Sequence, residues 1–220
     1  MTMSATKKIV VLISGNGTNL QAIIDKWHNN TIADQKVEIV AVISNNADAY
    51  GLQRASDAGI NSQVLLNGDT NSREQYDELL SETIDKFQPD LILMAGFMRI
   101  LSTPFVKKYL GKMLNIHPSL LPKYRGVNTH QRAIDAGDNE HGASIHFVTP
   151  ELDSGPTVLQ AKVPVFTEDK AEDLAARVLT QEHSIYPLAA QWFLSERLKM
   201  VNNQAVLDGK VLPENGYAAD

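Results

Sequence analysis

Ile9-Val-Val-Leu-Ile13, followed by Ser14-Gly15-Asn16-Gly17 and then by Leu20, Ile23, Ile24 and Trp27, is the stretch on which the fold turns. Five consecutive apolar residues without alternation describe a strand covered on both faces, as in a parallel sheet. The small residues after it make a tight turn, and the apolar residues beyond recur at helical spacing. Strand, turn and helix in this order open a β-α-β arrangement. Val37-Glu-Ile-Val-Ala-Val-Ile43 repeats the strand, ended by Ser44-Asn45-Asn46, and a helix is predicted from Ala49 to Ala58.

The rhythm continues along the chain. Ser72 and Gln75 form a capping-box pattern ahead of Tyr76, Leu79, Leu80, Thr83, Ile84 and Phe87, and Pro89-Asp90 stops that helix. Leu91-Ile-Leu-Met-Ala95 and Lys112-Met-Leu-Asn-Ile116 are further buried-type strands, ended by Gly96 and by His117-Pro118. Ala143 to Val148 and Thr157 to Val163 alternate more, as strands near an edge or antiparallel do. Thr167 with Glu168, Asp169, Glu172 and Asp173 predicts the cap of a long helix carrying Leu174, Val178 and Leu179, with a kink or break at Pro187. Asp208-Gly209 predicts a small surface hairpin between Ala205 and Leu212. The expected fold is α/β: a single domain over residues 1–220, with a mostly parallel twisted sheet, helices on both faces, and antiparallel strands toward the C-terminal part.

Composition narrows the chemistry. The 220 residues suit one core, and a formal net charge of −6 without any Lys/Arg cluster argues against a nucleic-acid partner. The chain has no cysteine, so disulfides, thiolate metal sites and a Cys nucleophile are excluded. The first apolar run is too short for a signal segment or a membrane span, so a cytoplasmic protein with no membrane partner is expected.

Three interruptions of the pattern carry candidate chemistry. In Ser14-Gly-Asn-Gly-Thr-Asn19, small residues let backbone N–H groups converge at a helix start, where the helix dipole favours a phosphate. Asn16, Gly17, Thr18 and Asn19 thus read either as an anion cradle or as an ordinary capped βα turn; they lack the lysine of a P-loop and the full dinucleotide glycine spacing. Asn115 and His117 lie at the C-terminal end of a strand, where open α/β sheets bind ligands, and their spacing of two points both side chains the same way. An amide donor beside an imidazole suits a developing oxyanion, although a lone His beside Pro is commonly structural. In Thr149-Pro-Glu-Leu-Asp-Ser-Gly-Pro156, turn chemistry explains most residues, and the functional expectation is that Asp153 approaches His117 and favours its imidazolium. Glu182 falls on the apolar stripe of the long helix, where a carboxylate needs polar partners such as ribose hydroxyls, or else lies at an exposed helix end. His130, His141 and His146 lack the close-pair spacing of zinc sites, and no metal is expected.

Taken together, Ile13-Ser-Gly-Asn-Gly-Thr-Asn-Leu-Gln21, Ala95-Gly-Phe-Met-Arg-Ile-Leu101, Leu114-Asn-Ile-His-Pro-Ser-Leu-Leu-Pro122 and Gln181-Glu-His183 resemble the folate-dependent glycinamide ribonucleotide transformylases. The similarity runs from Lys8 to Asn215-Gly-Tyr-Ala-Ala-Asp220. It implies that Asn115, His117 and Asp153 are a catalytic trio, and that Asn16, Gly17, Thr18, Asn19 and Glu182 hold glycinamide ribonucleotide. It also implies that Arg73, Met98, Arg99, Ile100, Leu101, Asn115, Thr149, Glu151 and Asp153 hold 10-formyltetrahydrofolate as co-substrate. The N-terminal half, about 8–100, would then bind the ribotide phosphate, and the half from about 101 to 220 would bind the folate and react. Leu179 departs from the pattern, being apolar where a polar residue can contact the ribotide. Tyr124-Arg-Gly126 lies in a stretch that varies among these enzymes, a loop over the site to which no role is assigned. The implied partners are these two small molecules alone, with a monomer or weak homodimer as the assembly.

The rivals are a formyltransferase acting on methionyl-tRNA, which would carry a further domain and basic surface, and a 10-formyltetrahydrofolate hydrolase with its regulatory domain. From another class, a non-catalytic phosphosugar-binding module could share the sheet and the cradle. It would have no use for Asn115, His117 and Asp153 together.

Overall fold

The computed structural model describes residues 6–66, 68, 70 and 72–218; the first five residues and the last two of the C-terminal match lie outside them. In chain order the elements are β1 (Lys7–Ile13), α1 (Thr18–Trp27), β2 (Thr31–Ile32), β3 (Gln35–Ser44), α2 (Tyr50–Asp57), β4 (Ser62–Val64), α3 (Arg73–Asp85), β5 (Leu91–Met94), α4 (Thr103–Lys108) and β6 (Met113–His117). There follow α5 (Thr129–Asp135), β7 (Glu140–Phe147), β8 (Thr157–Pro164), α6 (Ala171–Leu194), β9 (Leu198–Val201), β10 (Gln204–Leu207), β11 (Lys210–Val211) and β12 (Tyr217–Ala218).

Among the described residues nine strands form one sheet in the order β12-β8-β7-β6-β5-β1-β3-β2, with β4 also on β3. β1 pairs in parallel with β3 on one side and β5 on the other, and β5 pairs in parallel with β6. The chain therefore moves outward from β1 to β3 and β4, then returns to the opposite side, leaving a crevice at the C-terminal ends of β1 and β5. β7 runs antiparallel to β6, and β8 antiparallel to β7, as their alternating sequences suggest.

The burial of β1 on both faces follows from its composition. Ile9, Val11 and Ile13 face a core completed by Leu20, Ile23 and Trp27 of α1 and by much of α6. Val10 and Leu12 face the opposite core with Tyr76, Leu80 and Ile84 of α3 and Phe105 and Val106 of α4. In β3 the alternation inverts, with Ile39 in the first core and Ala41 in the second, because the register slips one residue where Ile9 opposes Ile39 but Val10 opposes Ala41. The bulge residue, Val40, absorbs the change of phase. Ser72 caps α3 by accepting the N–H of Gln75, the expected device.

Three expectations require correction. α6 starts at Ala171, after Lys170, instead of being capped by Thr167. Asp169 accepts the N–H of Phe166 and grips Arg177 with both oxygens at 2.7 and 2.8 Å, which shapes a turn ahead of the helix. Pro187 does not break α6, which continues to Leu194. A proline inside a helix costs about 3 kcal/mol, whereas Ile185, Tyr186, Ala189, Ala190, Trp192 and Leu194 are all buried around it. Burying a large apolar side chain is worth roughly 1.5–3 kcal/mol, so packing on both sides of the proline prevails. Finally, the Asp208-Gly209 hairpin exists, with both turn residues at positive φ, but it is no isolated surface feature. Together with β9 it makes a three-stranded sheet whose Leu198, Ala205 and Leu207 enter the main core.

Candidate active site

The first wall is the turn after β1. Gly17 takes φ +74 as the N-cap of α1, and a Cβ there would come within 2.7 Å of the Cα of Gly51 in α2. Glycine is thus required by backbone conformation and by close approach of α2 together. The first N–H groups of α1 lack intrahelical acceptors, so the turn presents donors at the positive end of a helix. Arg54 of α2 braces it, donating from Nε to the Asn16 carbonyl at 2.9 Å, from Nη2 to Asn16 Oδ1 at 2.9 Å and from Nη1 to Gln21 at 3.2 Å. Sequence reasoning missed this residue, because an Arg one turn into a separate helix carries no local signal.

Glu182 reaches the turn from α6. It is buried, and its carboxylate accepts the Asn19 Nδ2–H at 2.7 Å. Burial pushes its pKa up, with the Asn19 hydrogen bond acting in the opposite direction. The ribotide expectations on Asn16, Gly17, Thr18, Asn19 and Glu182 therefore fall on residues that are neighbours in space. Leu179, one turn earlier on α6, is half-buried.

The second wall is the end of β6. Asn115 opposes His146 of β7 across the antiparallel pair, and its Nδ2–H donates to His146 Nε2 at 3.1 Å. His146 Nδ1 is 2.9 Å from the Phe147 carbonyl, which can only accept, so Nδ1 carries the proton and Nε2 accepts. The ring is neutral in this arrangement, and burial holds its pKa well below the ordinary histidine value. Asn115 thereby keeps its second amide N–H for another acceptor. His117 is buried, donates Nε2–H to the Tyr124 carbonyl at 2.9 Å, and turns Nδ1 toward Asp153 Oδ2 at 3.6 Å. Asp153 sits at φ +47 in the turn between β7 and β8; its Oδ2 accepts the N–H of Gly126 at 2.9 Å, and its Oδ1 is 3.9 Å from His146 Nε2. Asn115, His117 and Asp153 thus converge, with His146 as an unforeseen fourth member. Its place directly opposite Asn115 depends on strand register, which no single segment reveals.

The third wall is the crevice lined by Met94, Arg99, Ile100, Leu101, Val106, Asn115, His146 and residues 148–153. It contains Thr149, Glu151 and Asp153 alongside Asn115, so most residues expected on the folate side share one lining. Met98 is exposed and stands outside that lining, while its N–H donates to Ser14 Oγ at 2.7 Å. Arg73 is exposed at the first position of α3, one turn from Tyr76, and does not line the crevice either. Arg99 lines it, but its guanidinium lies 3.7 Å from the Tyr76 ring centroid and its Nε 3.7 Å from Asp77 Oδ1. His130 and His141 meet edge to face at 5.2 Å between ring centroids. Among the described residues no group of three or more His, Asp or Glu side chains is placed to hold a metal ion, and no helix is long and apolar enough to cross a membrane.

The fold and site define an α/β protein with a switch-point crevice, a glycine-bearing turn at the start of α1, and an amide, two imidazoles and a carboxylate gathered at the end of β6. The formyl transferase family matches residues 7–190, and the chain belongs to it. It is 59% identical over 212 residues to the phosphoribosylglycinamide formyltransferase of Escherichia coli K12, covering 96% of this chain and 99% of that one. The enzyme of the same name from Haemophilus influenzae is 53% identical over the same shares. The solved structure of the Coxiella burnetii phosphoribosylglycinamide formyltransferase in complex with CHES superposes with a TM-score of 0.92 at 50% identity, covering 98% of this chain and all of that one.

Proposed function

We propose that this chain transfers the formyl group of 10-formyltetrahydrofolate to the amine of glycinamide ribonucleotide, N1-(5-phospho-ribosyl)glycinamide, in purine synthesis. The observation that carries the reading is the Asp153 carboxylate 3.6 Å from His117 Nδ1 beside Asn115, on the crevice that Arg99 to Leu101 also line, with the neighbouring Met98 N–H bonded to Ser14 of the turn before α1. The acceptor's phosphate sits on the N–H groups at the start of α1, and its ribose hydroxyls meet Glu182. The folate lies against the segment from Arg99 to Leu101 and the turn from Thr149 to Asp153, its pterin satisfied largely by main-chain groups. A cytoplasmic setting belongs to the same proposal, because a phosphorylated ribotide does not cross membranes unaided. A chain acting as a monomer or weak homodimer also belongs to it.

The amine attacks the formyl carbon directly, and the tetrahedral oxygen is held by the second Asn115 N–H and by protonated His117. The proton lost by the amine passes to the departing folate nitrogen, so charge balances without a metal. Asp153, 3.6 Å from Nδ1, orients the imidazole toward the reacting carbon. His117 must first exchange its bond to the Tyr124 carbonyl for the oxyanion, so the loop carrying Tyr124 has to yield when both substrates are seated. His146 keeps Asn115 turned so that its remaining N–H points outward from the pair.

The test is loss of 10-formyltetrahydrofolate absorbance with and without glycinamide ribonucleotide. Turnover only with the acceptor is expected. Equal turnover without it would make the chain a 10-formyltetrahydrofolate hydrolase, and binding without turnover a phosphosugar-binding module.

A further inference from the structure

The segment from Phe97 to Ser102 forms one side of the folate crevice with little regular structure of its own. Phe97, Leu101 and Ser102 are buried, whereas Met98 and Ile100 point outward at 74% and 56% exposure. Its far end is held by Asp77, a carboxylate on the inner face of α3 that is only 2% exposed. Asp77 Oδ2 accepts the Ser102 N–H at the entry to α4, and Oδ1 faces Arg99 Nε at 3.7 Å. The Arg99 guanidinium carbon lies 3.7 Å from the centroid of the Tyr76 ring, itself fully buried with its hydroxyl donating to the Leu65 carbonyl at 2.9 Å.

A buried carboxylate is expensive to desolvate, and here the cost is offset by the Ser102 N–H it accepts and the Arg99 guanidinium it faces, contacts an apolar side chain could not make. Packing alone therefore does not explain Asp77. What its charge accomplishes is to hold Arg99 along α3 and to hold the first turn of α4, the two attachments between which Ile100 and Leu101 are suspended. We propose that Asp77 is a positioning residue for the folate: through Arg99 and Ser102 it sets the backbone of residues 99–101 at the spacing the co-substrate requires. This rests on the folate reading above.

The test uses the full chain. Asp77→Asn keeps an amide oxygen for the Ser102 N–H but removes the charge facing Arg99. The KM for 10-formyltetrahydrofolate should rise about tenfold, the usual worth of one charge-assisted contact. The KM for the ribotide and kcat at saturating folate should stay within about twofold. Arg99→Ala, which also removes a side chain lining the crevice, should raise the folate KM at least as much, and the double variant should be little worse than Arg99→Ala alone, because Asp77 acts through Arg99. A parallel rise in both KM values, or a lower melting temperature with unchanged kinetics, would reduce Asp77 to a structural residue and overturn the proposal. If Asp77→Asn fails to fold, Asp77→Glu, which keeps the charge but displaces it along α3, decides by the same KM split.

Equilibrium binding of tetrahydrofolate, followed by tryptophan fluorescence, separates this proposal from the assigned reaction. Tetrahydrofolate binding that is weakened in Asp77→Asn supports the proposal even if no formyl group is transferred. A wild-type chain that does not bind tetrahydrofolate overturns both.

Discussion

The turn before α1, proposed to hold the ribotide, is built from one continuous stretch, Ser14 to Asn19, with Glu182 and Arg54 as outside supports. The reacting end gathers Asn115 and His117 from β6, His146 from β7 and Asp153 from the turn after β7. The first works through main-chain N–H groups, placed by a turn in which Gly17 alone must stay glycine while Gly15 faces open space. The second works through four side chains whose mutual distances are set by the antiparallel register of β6 and β7. A backbone device should tolerate side-chain change wherever space is open, whereas a side-chain cluster should fail at a single atom.

The largest expected effect is at the reacting end. His117→Asn or Asn115→Ala should lower kcat on the order of 10²-fold or more while leaving both KM values within a few-fold. Asp153→Asn combined with His117→Asn should be little worse than His117→Asn alone, because Asp153 acts through the imidazole. Multiplicative losses in that cycle would give Asp153 a separate task.

A second effect, of intermediate size, concerns His141, which packs behind the loop that supplies the Tyr124 carbonyl. Burial, with His130 beside it, pushes its pKa down to about 4, against which the Pro118 carbonyl and Asp138 act only in part. Above the unfolded value of about 6.5 both states are neutral and nothing is gained or lost. As pH falls from there toward 4, the unfolded chain takes up a proton that the folded chain refuses, so folding stability declines through that window. The loss from this one group is at most about 3 kcal/mol. Melting temperatures of His141→Gln should accordingly fall less steeply between pH 6.5 and 4 than those of the wild type. Parallel curves would mean that His141 is not the group responsible.

The smallest effect separates the two glycines of the turn. Gly17→Ala should lower stability by roughly 1–2 kcal/mol, because φ is +74 and the new Cβ meets Gly51. It should also raise the ribotide KM, since the turn deforms. Gly15→Ala points into open space and should change the ribotide KM by no more than about twofold. An equal penalty at Gly15 would put the phosphate on the open side of the turn and not at the helix start.

How much of this was legible in the sequence follows the same division. The β1 strand, its turn and α1 could be read because each signal is local: an apolar run, two glycines, a helical spacing. The capping of α3 by Ser72 was local too. For the long helix the sequence signals its kind but not its start or its continuation past Pro187, because Arg177 and the core beneath α6 decide them from a distance. α4 and α5, six and seven residues long, carry too few periods to register. Asn115 and His117 stood out because they interrupt an apolar strand. His146 did not, since alternation in β7 makes one more polar residue look like an outward-facing position until the strand is paired with β6.

The Met98 N–H, donating to the Ser14 hydroxyl, places one hydrogen bond between the turn proposed for the ribotide and the segment proposed for the folate. Two sites that share a rigid link do not order themselves independently. Whichever ligand arrives first stills part of what the second would otherwise have to immobilise, and the second then binds at a smaller entropic cost. By thermodynamic reciprocity the advantage is the same in either order of arrival. That single hydroxyl would thus make the crevice favour the ternary complex over either half-filled one.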